Sequence, residues 1–394
     1  MAYARDQGDE IHAVASPGKE LGVFAAQTGA EVHAVEMTRR ITPLSDLRSL
    51  WRLVRLMRRI RPDVVHGHTP KGGLLAMIAG WLCGVPVRVY HMFGLPMVTA
   101  TGVIRRLLRW CESLTCRLAH QVYCVTPSLR EVALAEGLAG PDKLTVLLNG
   151  TVEGVDAEGM FNPARMPSDT RDVVRAEYGI PRDARVVGFV GRLAHDKGMT
   201  ELTEAWKVLR KQYADLHLLV VGPPEPNDPP TEEVEQQLRA DERAHPTGEV
   251  ENASMPRFYR AMDLLVLPTY REGYGMVLLE AAALELPVVV SRIPGCVDVV
   301  RDGETGTMVP VRDAGAVAEA VRRYLNDSGL RRRHGEAGRA WMLRDFRPQD
   351  MSEAIHREYL RLLRERGIQV SEAFVPPAVC VSDDEKGEAE RLLV

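Results

Sequence analysis

Paired cysteines are missing from this chain. Its six, Cys83, Cys111, Cys116, Cys124, Cys296 and Cys380, form no C-x-x-C pair and no Cys/His spacing of the zinc type, which argues against a structural zinc site and leaves reduced thiols. Long apolar runs are missing too: none approaches the roughly 18 to 20 residues that a bilayer span needs, and the amino terminus does not read as a basic-then-apolar signal. Cytoplasmic residence is the expectation, with attachment to a membrane surface left open. There is little net charge. A formal value of −4 argues against a nucleic-acid partner. No G-x-G-x-x-G follows a strand-like run, which sets a dinucleotide dehydrogenase aside.

What is present is size and alternation. At 394 residues the chain outgrows the roughly 250 to 300 residues of a single core, so two domains with a cleft are expected. An apolar fraction of 45% and a charged fraction of 26% are those of a globular protein. The charge is unevenly spread. From Arg39 to Lys71 nine basic residues stand against two acidic ones, a local positive field suited to phosphates or anionic headgroups.

Strand-like runs cover residues 10–16, 30–37, 63–69, 85–93, 121–126 and 144–149, with helical patterns between most of them. This alternation predicts βαβ units and a parallel sheet. Residues 155–172, with Asn162-Pro163, Pro167 and Ser168, read as a linker. A second α/β unit follows, with strands at 185–191, 216–222, 263–269 and 287–292 and helices such as 200–211 and 275–285. Helices at 314–325 and 351–366 close the chain, the last long enough to pack back on the first unit. From Ser371 onward the Pro-, Asp- and Glu-rich sequence predicts disorder. The first eight residues read as the end of a helix capped by Gly8, so a starting strand and its turn are expected to be missing, on the order of 20 to 30 residues by the size of one βα unit.

The segment Glu272-Gly-Tyr-Gly-Met-Val-Leu-Leu-Glu280 places two carboxylates around a glycine-bearing turn that opens a helix directly after a strand. Ligands of open α/β sheets collect at the carboxyl ends of strands, where helix N-termini offer unpaired N–H groups to phosphate. Gly273 and Gly275 permit close backbone approach. Carboxylates do not bind phosphate directly, so the physical use of Glu272 and Glu280 is to accept hydrogen bonds from the vicinal hydroxyls of sugars and ribose. This points to a glycosyl nucleotide. The plainer alternative is a capping acid and a surface acid.

With Glu272 to Glu280, the carboxyl half carries Gly188-Phe-Val-Gly191-Arg192-Leu-Ala-His-Asp-Lys197-Gly198, Pro287-Val-Val-Val-Ser and Gly303-Glu-Thr-Gly306. The amino half adds Val65-His66-Gly-His68-Thr-Pro-Lys71-Gly and Asn149-Gly150-Thr-Val-Glu-Gly154-Val-Asp156. Together these resemble a retaining family-4 glycosyltransferase of the glycosyltransferase-B fold, and within it the bacterial capsule, O-antigen and lipid-linked-oligosaccharide transferases. The resemblance implies two facing Rossmann-like α/β domains, the first lacking its opening strand and glycine-rich turn. Residues 1–165 would bind the acceptor and 166–346 the nucleotide sugar; 347–370 would close back on the first domain, and 371–394 would be a tail. It implies a nucleoside-diphosphate sugar, with UDP favoured, and neither a cofactor nor a metal.

By the same resemblance Arg192 and Lys197 grip the donor diphosphate. The physical case stands beside it: a planar fork and a point charge suit phosphates and offset the charge that grows on the leaving group. A solvated loop pair is the alternative. Glu280 would take the ribose hydroxyls and Glu272 the transferred hexose, while Gly191 and the amides of Gly273, Tyr274, Gly275 and Met276 approach the sugar or the distal phosphate. His91, His68 and Lys71 fall on the acceptor side. Relatives commonly carry histidine where this chain has Phe93, and His91 lies two residues earlier on the same strand face. His91 therefore either reaches the cleft, where it would join Glu272, Arg192 and Lys197 as a catalytic group, or is a strand-end histidine held by a hydrogen bond. His66 and His68 share one face, but with no carboxylate or cysteine at ligand spacing a metal is weakly supported.

Residues 47–61 form a basic amphipathic helix, with Arg48, Arg52, Arg55 and Arg59 in one stripe and Leu50, Trp51, Val54 and Met57 facing elsewhere. Such a helix either lies on anionic lipid, as suits a polyprenyl-diphosphate-linked acceptor, or packs on the sheet with a solvated arginine face. The family implies attack by the acceptor hydroxyl on the leaving-group face, with the departing phosphate oxygen taking its proton. Two alternatives share the architecture: a nucleotide-sugar 2-epimerase and a catalytically impaired sugar-nucleotide-binding subunit.

Overall fold

A computed structural model of the chain describes residues 2–38, 42–150, 154–226 and 228–369. Its strands are β1 (His12–Ala15), β2 (Glu31–Ala34), β3 (Val64–His68), β4 (Val87–Met92), β5 (Gln121–Cys124), β6 (Leu144–Thr145), β7 (Arg185–Val190), β8 (Leu216–Val221), β9 (Ala244–Gly248), β10 (Leu264–Leu267), β11 (Val288–Ser291) and β12 (Gly306–Val309). Their ladder pairings are parallel. Helices cover both faces, and runs such as Val288-Val-Val-Ser291 are buried throughout, as interior parallel strands require.

Three sheets result. β1 pairs with β2 alone, β3-β4-β5-β6 lie in sequence order, and six strands run β12-β11-β10-β7-β8-β9. In the last sheet the chain builds outward from β7 to β9, then returns to the other side of β7 and builds outward again from β10 to β12. The crevice beyond the carboxyl ends of β7 and β10 is therefore the point where strand order reverses, the place where doubly wound sheets hold their ligands.

Ten of the strands lie within the expected runs, but β9 and β12 were not anticipated. Both are edge strands. β9 contains Pro246, which costs no ladder bond at an edge, and β12 is four residues opening with glycine; neither carries the apolar pattern of an interior strand. The expected linker at 155–172 is not a free tether. Val155, Ala157 and Phe161 are buried in the main core, and the Arg339 guanidinium donates to the carbonyls of Ala157 and Phe161 at 3.2 and 3.4 Å.

The helix Pro348–Glu365 lies on the amino-terminal sheet: Leu362 and Leu363 pack with Val87, Val89 and Tyr123, and the Tyr123 hydroxyl donates to Glu358 at 2.7 Å. The segment expected to be disordered, from 371 on, lies outside the described residues.

Candidate active site

Two loops meet at the reversal point. Beyond β7, Arg192 is followed by a short turn, His195–Lys197; beyond β10, Thr269 to Gly275 lead into the helix Met276–Ala283. The loops are stitched together through Asp196. Its carbonyl accepts from the Tyr270 amide at 2.8 Å and the Thr269 hydroxyl at 3.1 Å, and its carboxylate takes Arg271 at 2.8 Å. This places the Lys197 ammonium 2.7 Å from Glu272, both side chains mostly buried. Arg192 is in direct contact with Glu225, a buried acid beyond β8. The two cations therefore share the loop beyond β7, each already facing a carboxylate from a neighbouring strand end.

Glu225 was not foreseen. Its only signal in the sequence is a position three residues past a strand ending in Gly222-Pro-Pro, and only the adjacency of β7 and β8 brings it to Arg192.

Gly273 lies where the two halves touch. A Cβ there would collide with the carbonyl oxygen of Phe93, and one on Gly94 would sit 3.7 Å from the Gly273 Cα. The turn beyond β10 thus abuts the turn beyond β4, backbone against backbone. Tyr274 directs its ring into the core, 6.4 Å from the Phe346 ring centroid, which leaves its backbone to face a ligand. No side chain caps the helix that starts at Met276 after Gly275, so its first turn keeps N–H groups for an anion or a hydroxyl. The Gly191 amide, by contrast, is committed to the Val221 carbonyl at 2.9 Å, and only its α-carbon and carbonyl remain for close approach. Glu280 accepts from the Tyr259 hydroxyl at 2.6 Å, and burial raises its pKa. One carboxylate oxygen is held and the other remains as an acceptor.

Across from these loops, β3 and β4 end in a cluster of histidines. His68 is in register with His91, and the rings of His66, His68 and His91 lie 4.3 to 5.8 Å apart. His66 Nδ1 hydrogen-bonds the Tyr359 hydroxyl of the closing helix. His91 is not a strand-end histidine held by a hydrogen bond: its Nδ1 is buried without a partner, and the rings of Phe93 and Tyr123 complete its enclosure at 5.4 and 6.0 Å. Burial lowers the pKa of His68 to about 4 and of His91 to about 3, with the neighbouring His68 adding to the second shift. Both are neutral at physiological pH.

Neither a carboxylate nor a cysteine joins His66 and His68, but register brings a third histidine, His91, beside them; ligand atoms of the three lie within 4.8 Å of one another. The sequence could not show this, since the third histidine comes from the neighbouring strand. Yet the His66 and His91 rings are parallel to within 4°, whereas three imidazoles sharing an ion must each point an in-plane nitrogen at one point. Lys71 does not reach into this cluster. It is bound to Asp46 at 2.7 Å, tying the start of the helix Pro70–Leu82 to the start of the helix Pro43–Ile60.

Residues 170–341 match the family model described as glycosyl transferases group 1, and residues 1–150 match a glycosyl transferase 4-like domain. The capsular polysaccharide biosynthesis glycosyltransferase CapM of Staphylococcus aureus is 31% identical over 371 residues, 93% of each chain. The chain belongs to this glycosyltransferase family. A second relative, the UDP-Gal:alpha-D-GlcNAc-diphosphoundecaprenol alpha-1,3-galactosyltransferase of Escherichia coli, is 27% identical over 75% of this chain and 74% of its own. Among solved structures, Anabaena Alr3699/HepE in complex with UDP and glucose superposes with a TM-score of 0.74 at 18% identity, covering 89% of this chain and 99% of that one. WaaG, a glycosyltransferase involved in lipopolysaccharide biosynthesis, gives 0.65 at 18% identity over 90% and 91%. These two establish the shared glycosyltransferase-B fold. The group 1 transferase is thus an enzyme of two facing parallel α/β units, and the epimerase alternative has no support among these relatives.

Proposed function

We propose that this glycosyltransferase moves a hexose or N-acetylhexosamine from a uridine diphosphate sugar to a glycan or polyprenyl-diphosphate-linked acceptor in cell-surface polysaccharide synthesis, with retention at the anomeric carbon. The observation that carries this is the meeting of Arg192, Lys197 and Glu272 at the strand-order reversal between β7 and β10. The carboxyl-terminal unit then holds the donor and the amino-terminal unit the acceptor. Arg192 and Lys197 release their carboxylates in part to take the diphosphate, and their charge offsets that of the departing UDP. Glu272, freed from Lys197, accepts from hydroxyls of the transferred sugar; Glu280 accepts from the ribose; the amides of Gly273 to Met276 approach the sugar or the distal phosphate. No metal is required for this charge balance.

On the acceptor side His68 stands nearest an incoming hydroxyl, and neutral His91 acts on it through the cluster. With two neutral imidazoles there, proton transfer to the leaving phosphate oxygen is consistent with the retaining course. The names of the capsule and undecaprenol-linked relatives favour such an acceptor, and the arginines of residues 47–61 suit a site at the inner face of a membrane. Among the described residues no helix is long and apolar enough to cross one.

The test is a melting-temperature panel of UDP-, GDP- and ADP-sugars, followed by product analysis with an undecaprenyl-diphosphate-linked sugar. A UDP-sugar that binds the native state raises the melting temperature with concentration. No shift with any nucleotide sugar, or hydrolysis with no transfer, overturns the proposal.

A further inference from the structure

The helix Gly102–Leu118 is amphipathic in the unusual sense. At about 100° per residue, Glu112, Thr115 and Cys116 share the buried face, while Val103, Leu107 and Trp110 fall together on the opposite side, facing solvent at 75%, 42% and 62% exposure, with Ile104 beside them at 59%. Solvent-facing apolar residues are ordinary when scattered singly. A stripe of three with a fourth exposed at its flank is not, and it matches the pattern of a surface that another phase covers.

A second stripe lies close by. On the helix Pro43–Ile60, Leu44, Leu47 and Trp51 are exposed. This corrects the expected orientation of Trp51: it does not turn from the arginines, and the Arg55 guanidinium lies 5.6 Å from its ring centroid. Both helices pack against Pro70–Leu82. They also begin at the same end of the amino-terminal sheet. Asp46 is tied to Lys71, just beyond β3, and the turn Pro96–Val98 beyond β4 packs on Gly102–Leu118, whose far end meets Arg88 near the start of β4. That shared end is where the histidine cluster sits.

We propose that the exposed faces of these two helices form one docking surface for an anionic lipid bilayer, with Val103, Ile104, Leu107 and Trp110 entering the headgroup boundary beside Leu44, Leu47 and Trp51. Charge selects this occupant. Arg106 and Arg117 flank the first stripe, Arg48, Arg55 and Arg58 the second, and all five are exposed or nearly so. A basic fringe around apolar and indole side chains is the composition that anchors interfacial helices on anionic lipid. The surface extends the contact proposed for residues 47–61 to a helix with no part in it until now, and it does not depend on the donor reading.

The test is flotation of the full chain with phosphatidylcholine vesicles, with and without phosphatidylglycerol, at low and high salt. The chain is expected to float with the anionic vesicles, less so at high salt. The combined variant Val103→Ser, Ile104→Ser, Leu107→Ser, Trp110→Ser is expected to lose at least about tenfold in partitioning, as removal of four inserted apolar side chains implies. Its melting temperature and its response to nucleotide sugars should stay at wild-type values, since none of the four packs in the core. If only Leu44→Ser, Leu47→Ser, Trp51→Ser abolishes flotation and the first variant floats normally, the role of Gly102–Leu118 is overturned and the residue 47–61 contact stands. If the wild type binds no vesicles, or sediments as a dimer that the first variant dissociates, the lipid surface is overturned, and the donor panel is unaffected by either result.

Discussion

Lys197 and Glu272 hold each other at 2.7 Å before any donor arrives, so the loss of either reaches two roles at once. Lys197→Ala is expected to lower kcat by about 100-fold or more, the usual scale for removing a preorganised charge at a leaving group. It should also lower the melting temperature of the ligand-free enzyme, because a mostly buried Glu272 loses its counter-charge and keeps only the Gly273 amide at 3.2 Å. A steady-state assay beside a thermal scan measures both; unchanged kcat would remove Lys197 from the chemistry. Glu280→Ala acts differently. It leaves the Tyr259 hydroxyl unpaired and removes the acceptor proposed for the ribose, so the donor KM should rise by about 10- to 100-fold, as charged hydrogen bonds of roughly 1.5 to 3 kcal/mol imply. Calorimetry with UDP checks it. Glu272 and Glu280 stood out in the sequence itself, because an acid pair around a glycine turn after an apolar strand restricts the chemistry strongly, whereas Lys197 was singled out through the family motif. Glu225 was not, since its partner Arg192 is 33 residues away and meets it only through pairing of β7 with β8.

At the scale of the element, the turn between β7 and the helix Met199–Gln212 depends on Gly198, which sits at φ +71 with its α-carbon against the Pro268 carbonyl. Gly198→Ala is expected to cost about 1 to 3 kcal/mol of strain, and more if the Asp196 bonds to the facing loop are lost; urea unfolding measures it. The histidine cluster gives a pH dependence. His68 and His91 titrate in the native state near 4 and 3 but near 6.5 when unfolded. Between those values the unfolded chain binds more protons, so their contribution to stability is complete above about pH 6.5 and is lost as pH falls toward 4, each with a slope of up to about 1.4 kcal/mol per pH unit. Buried Glu112, raised to about 7, slopes the other way from about 4.5 to 7. The comparison that isolates the histidines is therefore His91→Asn against wild type: the variant should lose less stability between pH 6.5 and 4.5. Strand alternation placed His91 and Phe93 on one face in advance. It could not enclose His91, because that takes β3, β5 and the closing helix together.

For the whole molecule, the turn at Gly273 abuts the Phe93 carbonyl where the two units meet near the site. Hydrogen bonds from the Ser128 amide to Asp298 at 3.2 Å and from the Gly295 amide to Ser128 at 2.8 Å join them nearby. Gly273→Ala should hold the units apart with the core of each intact, lowering kcat with little change in melting temperature; small-angle scattering in the presence of UDP would register the wider cleft. By itself the sequence determined the alternation of strands and helices, the family, and which acids and cations stand in the loops beyond β7 and β10, because these depend on local pattern and on residue type. Only the tertiary structure decided which strands lie at the edges, that Arg192 faces Glu225, that three histidines gather from two strands, and that Trp51 and Trp110 look outward. Those facts depend on strand order and helix orientation, which are settled by how the units bury their apolar faces against each other and not by spacing along the chain.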